Sequence, residues 1–176
     1  PIRIGTCAWS YDDWRGVFYP EHLPATDRLQ FYARHFPTVE VDSTFYHPPA
    51  SHVAAHWAEA TPETFRFSPK LPRELTHERK LREWQEPLAE FVAGIQPLGQ
   101  KLGAVLVQLP PYFEPKHDEH ALRDFVRHLP REIRFAIEFR DPAWHMPRIV
   151  HLLEEHSICW VWNDVTTLDH APEAAF

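Results

Sequence analysis

Ionisable side chains recur along this chain at the ends of short apolar runs, and their spacing is that of strands. In VEVDSTFYHPP (residues 39–49) Val39 and Val41 alternate with Glu40, Asp42 and Thr44. In FRFSPK (65–70) Phe65 and Phe67 oppose Arg66, Ser68 and Lys70, and in GAVLVQL (103–109) Val105 and Val107 oppose Leu106 and Gln108. In RFAIEF (134–139) Phe135, Ile137 and Phe139 oppose Ala136 and Glu138, with Arg140 one step further. Side chains alternate across a strand, so one parity of each run is apolar while the other gathers Glu40, Lys70, Gln108, Glu138 and Arg140 towards the strand ends. Carboxylates beside a lysine and an arginine are what proton transfer and the holding of a developing anion require. Glu40, Lys70, His77, Glu138 and Arg140 are therefore the catalytic candidates, His77 offering an acid–base group or a phosphate contact. The structural alternative is a network of ion pairs in which Arg3, Arg66 and Arg140 neutralise Glu40 and Glu138, because buried charges must be paired.

Flat rings follow the same runs: Trp9, Tyr11 and Trp14 after the first, Phe45 and Tyr46 after the second, Tyr112 and Phe113, and then Trp144. Rings at one rim suit a sugar face or a nucleobase, or else they plug the rim. Trp9, Tyr11, Trp14, Asp42, Thr44, Tyr46, Gln108, Trp144, Asn163 and Asp164 are the substrate-binding candidates. A divalent metal, magnesium or manganese on oxygen ligands from Glu40, Asp42, Glu138 or Asp164, or zinc, is a further option with no assigned ligand set. His52 and His56 stand one helical turn apart but lack the intervening acid of the metalloprotease motif. Cys7 and Cys159 lie in apolar runs, where reduced, buried and inert thiols are expected.

The elements that must position these residues alternate from end to end. Strands are expected over 2–8, 38–42, 65–70, 103–109, 134–139 and 158–162. Between them lie helices marked by one-faced spacing: one opened by Thr26 with Leu29, Tyr32, Ala33 and Phe36, one over 51–60, and others carrying Trp84 to Ile95, Leu122 to Leu129 and Ile149 to Leu153. Repeated strand–helix alternation calls for a parallel sheet under helices. The repeat of about 31 residues favours a TIM-type (β/α)8 barrel over an open doubly wound sheet. None of the five glycines builds a GxGxxG or Walker loop. About six of eight βα units are present in what reads as one partial domain over residues 1–176, the rest being cut away or supplied by another chain.

The net charge of −7 argues against a surface built wholly for nucleic acid, although KLPRELTHERKLR (70–82) is locally basic. No run approaches the ~18 apolar residues of a membrane span, and the start lacks a signal-peptide layout, so a cytoplasmic protein without a membrane partner is expected.

Five motifs in order, GTCAWSYDDWRGVFYP (5–20), VEVDSTFYHPP, PKLPRELTH (69–77), KLGAVLVQLPPYF (101–113) and EFRDPAW (138–144), resemble the family catalogued as domain of unknown function 72, over essentially the whole chain. The resemblance implies a TIM-barrel-like fold, shaped like the sugar isomerase and endonuclease barrels, and no established activity. Ala8 stands where glycine is common in that family, Asp42 where asparagine is, and Asp141 where histidine is. The family's later segment, with an arginine and a His-Gly pair, is not found. The leading expectation is acid–base or metal-assisted hydrolysis or isomerisation of a sugar-containing or phosphorylated small molecule at the strand ends. The alternatives are a nucleic-acid-binding or processing protein and a non-catalytic structural barrel.

Overall fold

The computed structural model describes residues 2–164. Its contacts divide the chain into two compact units, Pro1–Lys70 with Glu90–Gly103, and Leu71–Ala89 with Ala104–Phe176.

In the first unit β1 (Thr38–Val41) pairs in parallel with β2 (Arg66–Pro69), Val39 opposite Phe67 and Glu40 opposite Ser68. Both strands bury every second residue: Val39, Val41, Phe67 and Pro69 are buried, while Thr38, Glu40, Arg66 and Ser68 are partly exposed. The alternation predicted from sequence is therefore present, and it holds because each strand has one face in a core. The helices are α1 (Arg28–Tyr32) and α2 (Ser51–Glu59). The buried Lys101 ammonium closes the end of α2, donating to the carbonyls of Ala58 at 2.6 Å and Thr61 at 2.7 Å, where the helix runs out of its own i+4 donors. The helix expected to open at Thr26 begins instead as a 3-10 turn, Ala25–Asp27, because the Thr26 hydroxyl turns to the Asp27 carboxylate and caps nothing.

Residues 2–8 depart from expectation. They form no named strand and touch β1 through a single parallel bridge, Cys7 to Glu40, with Glu40 N–H donating to Thr6 and Ala8 N–H to Glu40. Ile2 is 95% and Ile4 71% exposed, so the apolar alternation that suggested a strand is not matched by burial. The pairing ends where Ala8 adopts φ 57°, a left-handed conformation that turns the chain away. Gly5 lets the segment approach: a Cβ there would lie 2.1 Å from the Thr38 carbonyl oxygen.

In the second unit β3 (Ala104–Gln108), β4 (Arg134–Glu138) and β5 (Cys159–Trp160) form a parallel sheet in that order, Gln108 opposite Glu138. With it go α4 (Pro115–His128) and α5 (Pro147–Glu155), whose apolar stripes, Leu122, Phe125 and Val126 on one and Ile149, Leu152 and Leu153 on the other, are buried. The remaining helix, α3 (Gln85–Ile95), divides between the units at Glu90. The result is an α/β fold with parallel sheets of two and three strands; a closed barrel is not formed by the described strands. Cys7 and Cys159 are both exposed free thiols, correcting the expectation of burial, because each lies on a lightly paired edge.

One connection in the second unit has an unusual backbone. A π-turn over Glu74–Glu78 is followed by Lys80, Leu81 and Glu83 at φ 49°, 58° and 46°. Left-handed non-glycine residues cost about 1–2 kcal/mol each. Fully buried Leu71, Leu75 and Leu81 offset that cost, and Leu81 N–H donates to the Leu75 carbonyl at 2.9 Å.

Candidate functional site

The first unit assembles a charged cluster where β1 and β2 end in register. Glu40 is on β1, Asp42 opens the 3-10 turn Asp42–Phe45 immediately after it, and Lys70 follows β2. The Lys70 ammonium lies 2.7 Å from Asp42 Oδ1 and 3.1 Å from Glu40 Oε1, and 5.9 Å from the centre of the Phe45 ring. Burial alone would favour the neutral amine. The Asp42 hydrogen bond and the Glu40 carboxylate outweigh it, so the lysine titrates above its ordinary 10.5 and stays an ammonium. An ammonium carries three N–H donors, and the two carboxylates take two.

Cys7 and Tyr11 complete this cluster. Cys7 Sγ donates to Glu40 Oε1 at 3.2 Å, and the Tyr11 hydroxyl donates to the Cys7 carbonyl at 2.8 Å. Desolvation, then the Glu40 charge, push the thiol up to about 12. An open cavity of about 260 Å³ is lined here by Gly5, Thr6, Cys7, Thr38, Glu40 and Ser68. Cys7 Sγ and the Glu40 and Asp42 carboxylates have ligand atoms within 4.8 Å of one another, a set able to close on a divalent cation. Lys70 already bridges both carboxylates, and a thiol held protonated is a poor metal ligand, so these residues fit the ammonium better than a metal.

Thr44 does not continue the alternation of β1, because the strand ends at Val41. It is buried, and its hydroxyl points to the carbonyls of Val41 and Lys70, each 2.8 Å away, tying the two strand ends together. Tyr11 and Tyr46 are exposed, whereas Trp9 and Trp14 are partly covered, Trp9 packing edge-on to Trp57 and Trp14 against Tyr11, Phe18 and Tyr19.

In the second unit Glu138 is 7% exposed, and both its oxygens are used: Gln108 Nε2 donates to Oε2 at 2.9 Å and Arg140 Nε to Oε1 at 3.0 Å. Gln108 and Glu138 meet because they are cross-strand partners. Asn163 Nδ2 donates to the Phe139 carbonyl, while Asp164 is exposed. Trp144 is fully buried between Phe113 and Phe139, ring centres 5.2 and 5.1 Å away, and its indole N–H donates to the Phe113 carbonyl at 2.7 Å. Both its faces are therefore occupied by protein. His77 lies in the π-turn with Nδ1 2.9 Å from the Thr76 hydroxyl and its ring edge-on to Tyr112.

Sequence reasoning did not find Asp118. It is 2% exposed on α4, accepts the backbone N–H of Glu114, and pairs with Arg82 at 2.9 Å and Lys80 at 3.7 Å. An acid in a first helical turn was the available signal, but its partners lie 36 and 38 residues away in sequence. The same pairing accounts for the basic run: Arg73 meets Glu78, Arg79 meets Glu74 and Glu83, and Lys70 meets Glu40 and Asp42. Every cation in KLPRELTHERKLR thus faces a carboxylate.

The family model described as "Protein of unknown function DUF72" matches residues 3–175. The UPF0759 protein YecE of Escherichia coli (strain K12) is 36% identical over 143 residues, 81% of this chain and 50% of that protein. The UPF0759 protein YunF of Bacillus subtilis (strain 168) is 33% identical over 152 residues, 83% of this chain and 53% of that one. The chain spans about half the length of the curated relatives it matches. Among solved structures, a DUF72 family protein from Thermotoga maritima MSB8 superposes with a TM-score of 0.75 at 28% identity, covering 95% of this chain and 71% of that one. One from Enterococcus faecalis V583 gives 0.74 at 28%, covering 99% and 65%.

Proposed function

The chain belongs to the DUF72 family of proteins of unknown function, and from that premise we propose that it is an enzyme of TIM-type architecture acting by proton transfer on an oxygen-rich small molecule. The substrate class is a sugar or its phosphate, and the reaction an isomerisation or hydrolysis. The observation that carries this reading is the Glu40–Lys70–Asp42 cluster at the C-terminal ends of two parallel strands, where catalytic groups of such folds collect. In this reading Glu40, the carboxylate nearer the open cavity, takes the proton. Lys70 places its third N–H on the substrate oxygen where negative charge develops, and Asp42 fixes the ammonium's direction. Glu138, held by Gln108 and Arg140 in the second unit, is a separate acid–base candidate and has no part in this step.

The nucleic-acid alternative has less support, since the basic run spends its charge internally. A purely structural role is the stronger rival, because the Lys70 cluster is ion-paired as it stands. The test is deuterium exchange in heavy water against a panel of aldoses, ketoses and their phosphates, followed by NMR and mass spectrometry. Wild-type protein is expected to wash deuterium into the carbon next to a carbonyl, or to release a hydrolysis product, while Glu40→Gln and Lys70→Ala lose that turnover and keep their fold. Turnover unchanged in the variants, or none with any panel member, would refute the reading.

A further inference from the structure

The second unit contains nine arginines, and six of them are committed: Arg73, Arg79, Arg82, Arg123, Arg140 and Arg148 each face a carboxylate within 4.0 Å. The other three, Arg127, Arg131 and Arg134, have no side-chain partner among the described residues, and all three line one cavity of about 200 Å³. That cavity lies where α4 ends, β4 begins and the chain passes from α5 to β5, away from the C-terminal strand ends that carry Glu138. Its floor is apolar, with Val126, Leu129, Phe135 and Ile158 all buried. His156 lines it too, its Nδ1 2.9 Å from the Leu152 carbonyl, which leaves Nε2 for another contact.

From this we infer that the cavity is a binding site for a small amphiphilic anion, one oxyanion (phosphate or carboxylate) on an apolar ring or short chain. Guanidinium groups recognise both oxyanions through paired N–H donors. Unpaired arginines around an apolar floor thus define a ligand with two ends, one charged and one dry. Glu155 lines the same cavity and opposes an anion, as do the C-terminal ends of α4 and α5 at about half a charge each, but three guanidiniums leave the site net positive. The volume is below the roughly 300–1,000 Å³ of drug-sized sites, which limits the apolar part to about one ring.

The experiment is calorimetric titration of the full chain with phenyl phosphate, benzoate, inorganic phosphate and phenol. Saturable one-to-one binding is expected for phenyl phosphate or benzoate, whichever is stronger naming the oxyanion; inorganic phosphate, without the apolar end, should bind about tenfold more weakly. Arg131→Gln with Arg134→Gln should weaken binding about a hundredfold, each charge-assisted contact contributing about tenfold. Glu155→Gln should strengthen it, and Arg79→Gln, whose arginine is already paired, should leave it unchanged. Both arginines of the double variant are exposed, so near-ultraviolet circular dichroism should show a native fold. No saturable heat with either anion, phenol binding as tightly as phenyl phosphate, or undiminished affinity in the double variant would overturn the assignment.

Discussion

Cys7 is accessible to solvent, yet its S–H is directed at Glu40 and its pKa is pushed up to about 12. Such a thiol should be slow to alkylate at pH 8, by about a hundredfold or more against glutathione, because the thiolate is the reacting species. Iodoacetamide labelling followed by peptide mass spectrometry reads this directly; a rate equal to glutathione would contradict the geometry, and Glu40→Gln should accelerate the reaction. The sign of the linkage follows: a thiol whose folded pKa exceeds its ordinary 9.0 makes the fold less stable as pH rises from about 9 to 12. Lys70, also raised, contributes its full stabilisation below its ordinary 10.5 and loses it only above that, so it stays a cation across the neutral range and cannot be the base. At Ala8 the backbone takes a left-handed conformation that glycine adopts without a Cβ clash. Ala8→Gly is expected to stabilise the protein by about 0.5–1 kcal/mol in chemical denaturation, relief of the Cβ clash exceeding the added chain entropy. Glu40, Lys70 and Glu138 were legible in the sequence because parity exposes them. The link from Cys7 to Glu40 was not, since a run of alternating apolar residues reads as buried until its neighbours are known.

Among the elements, the connection from Pro72 to Trp84 is anchored to α4 by the buried Asp118 carboxylate. Asp118 meets Arg82 and Lys80 and closes the start of α4 through the Glu114 N–H. Asp118→Ala should therefore cost about 1.5–3 kcal/mol, because the arginine and lysine left behind stay partly hydrated, read as a lowered denaturation midpoint, while Asp118→Asn, which retains the hydrogen-bonding shape, should cost less. Thr44→Val removes the donor shared by two buried carbonyls and should cost about 1–3 kcal/mol without altering charge. The five strands and the four longer helices were readable because half-buried elements repeat at 2.0 or 3.6 residues. The π-turn and the left-handed Lys80, Leu81 and Glu83 were not, since none is a glycine or asparagine and tertiary packing imposes their backbone.

For the molecule as a whole, the net charge of −7 and the internal pairing of its most basic run point the same way. Single-stranded oligonucleotides should bind weakly at physiological salt, and charge reversal at Arg79 and Lys80 should change that little in fluorescence anisotropy; tight, steeply salt-dependent binding lost in those variants would favour the nucleic-acid reading. The regular spacing of strand–helix units announced an α/β fold with parallel sheets, and the similar structures agree with it. Closure of a barrel depends on pairings between residues far apart in sequence, which local periodicity does not encode.

The segment with the densest lysine and arginine content is also one of the most tightly wound. Trypsin needs an extended stretch of backbone in its cleft, and the π-turn, the buried leucines and the Asp118 anchor deny it one between Lys70 and Arg82. The bonds a protease should favour most by composition would then outlast the one after Arg131, which lies in an exposed turn ahead of β4.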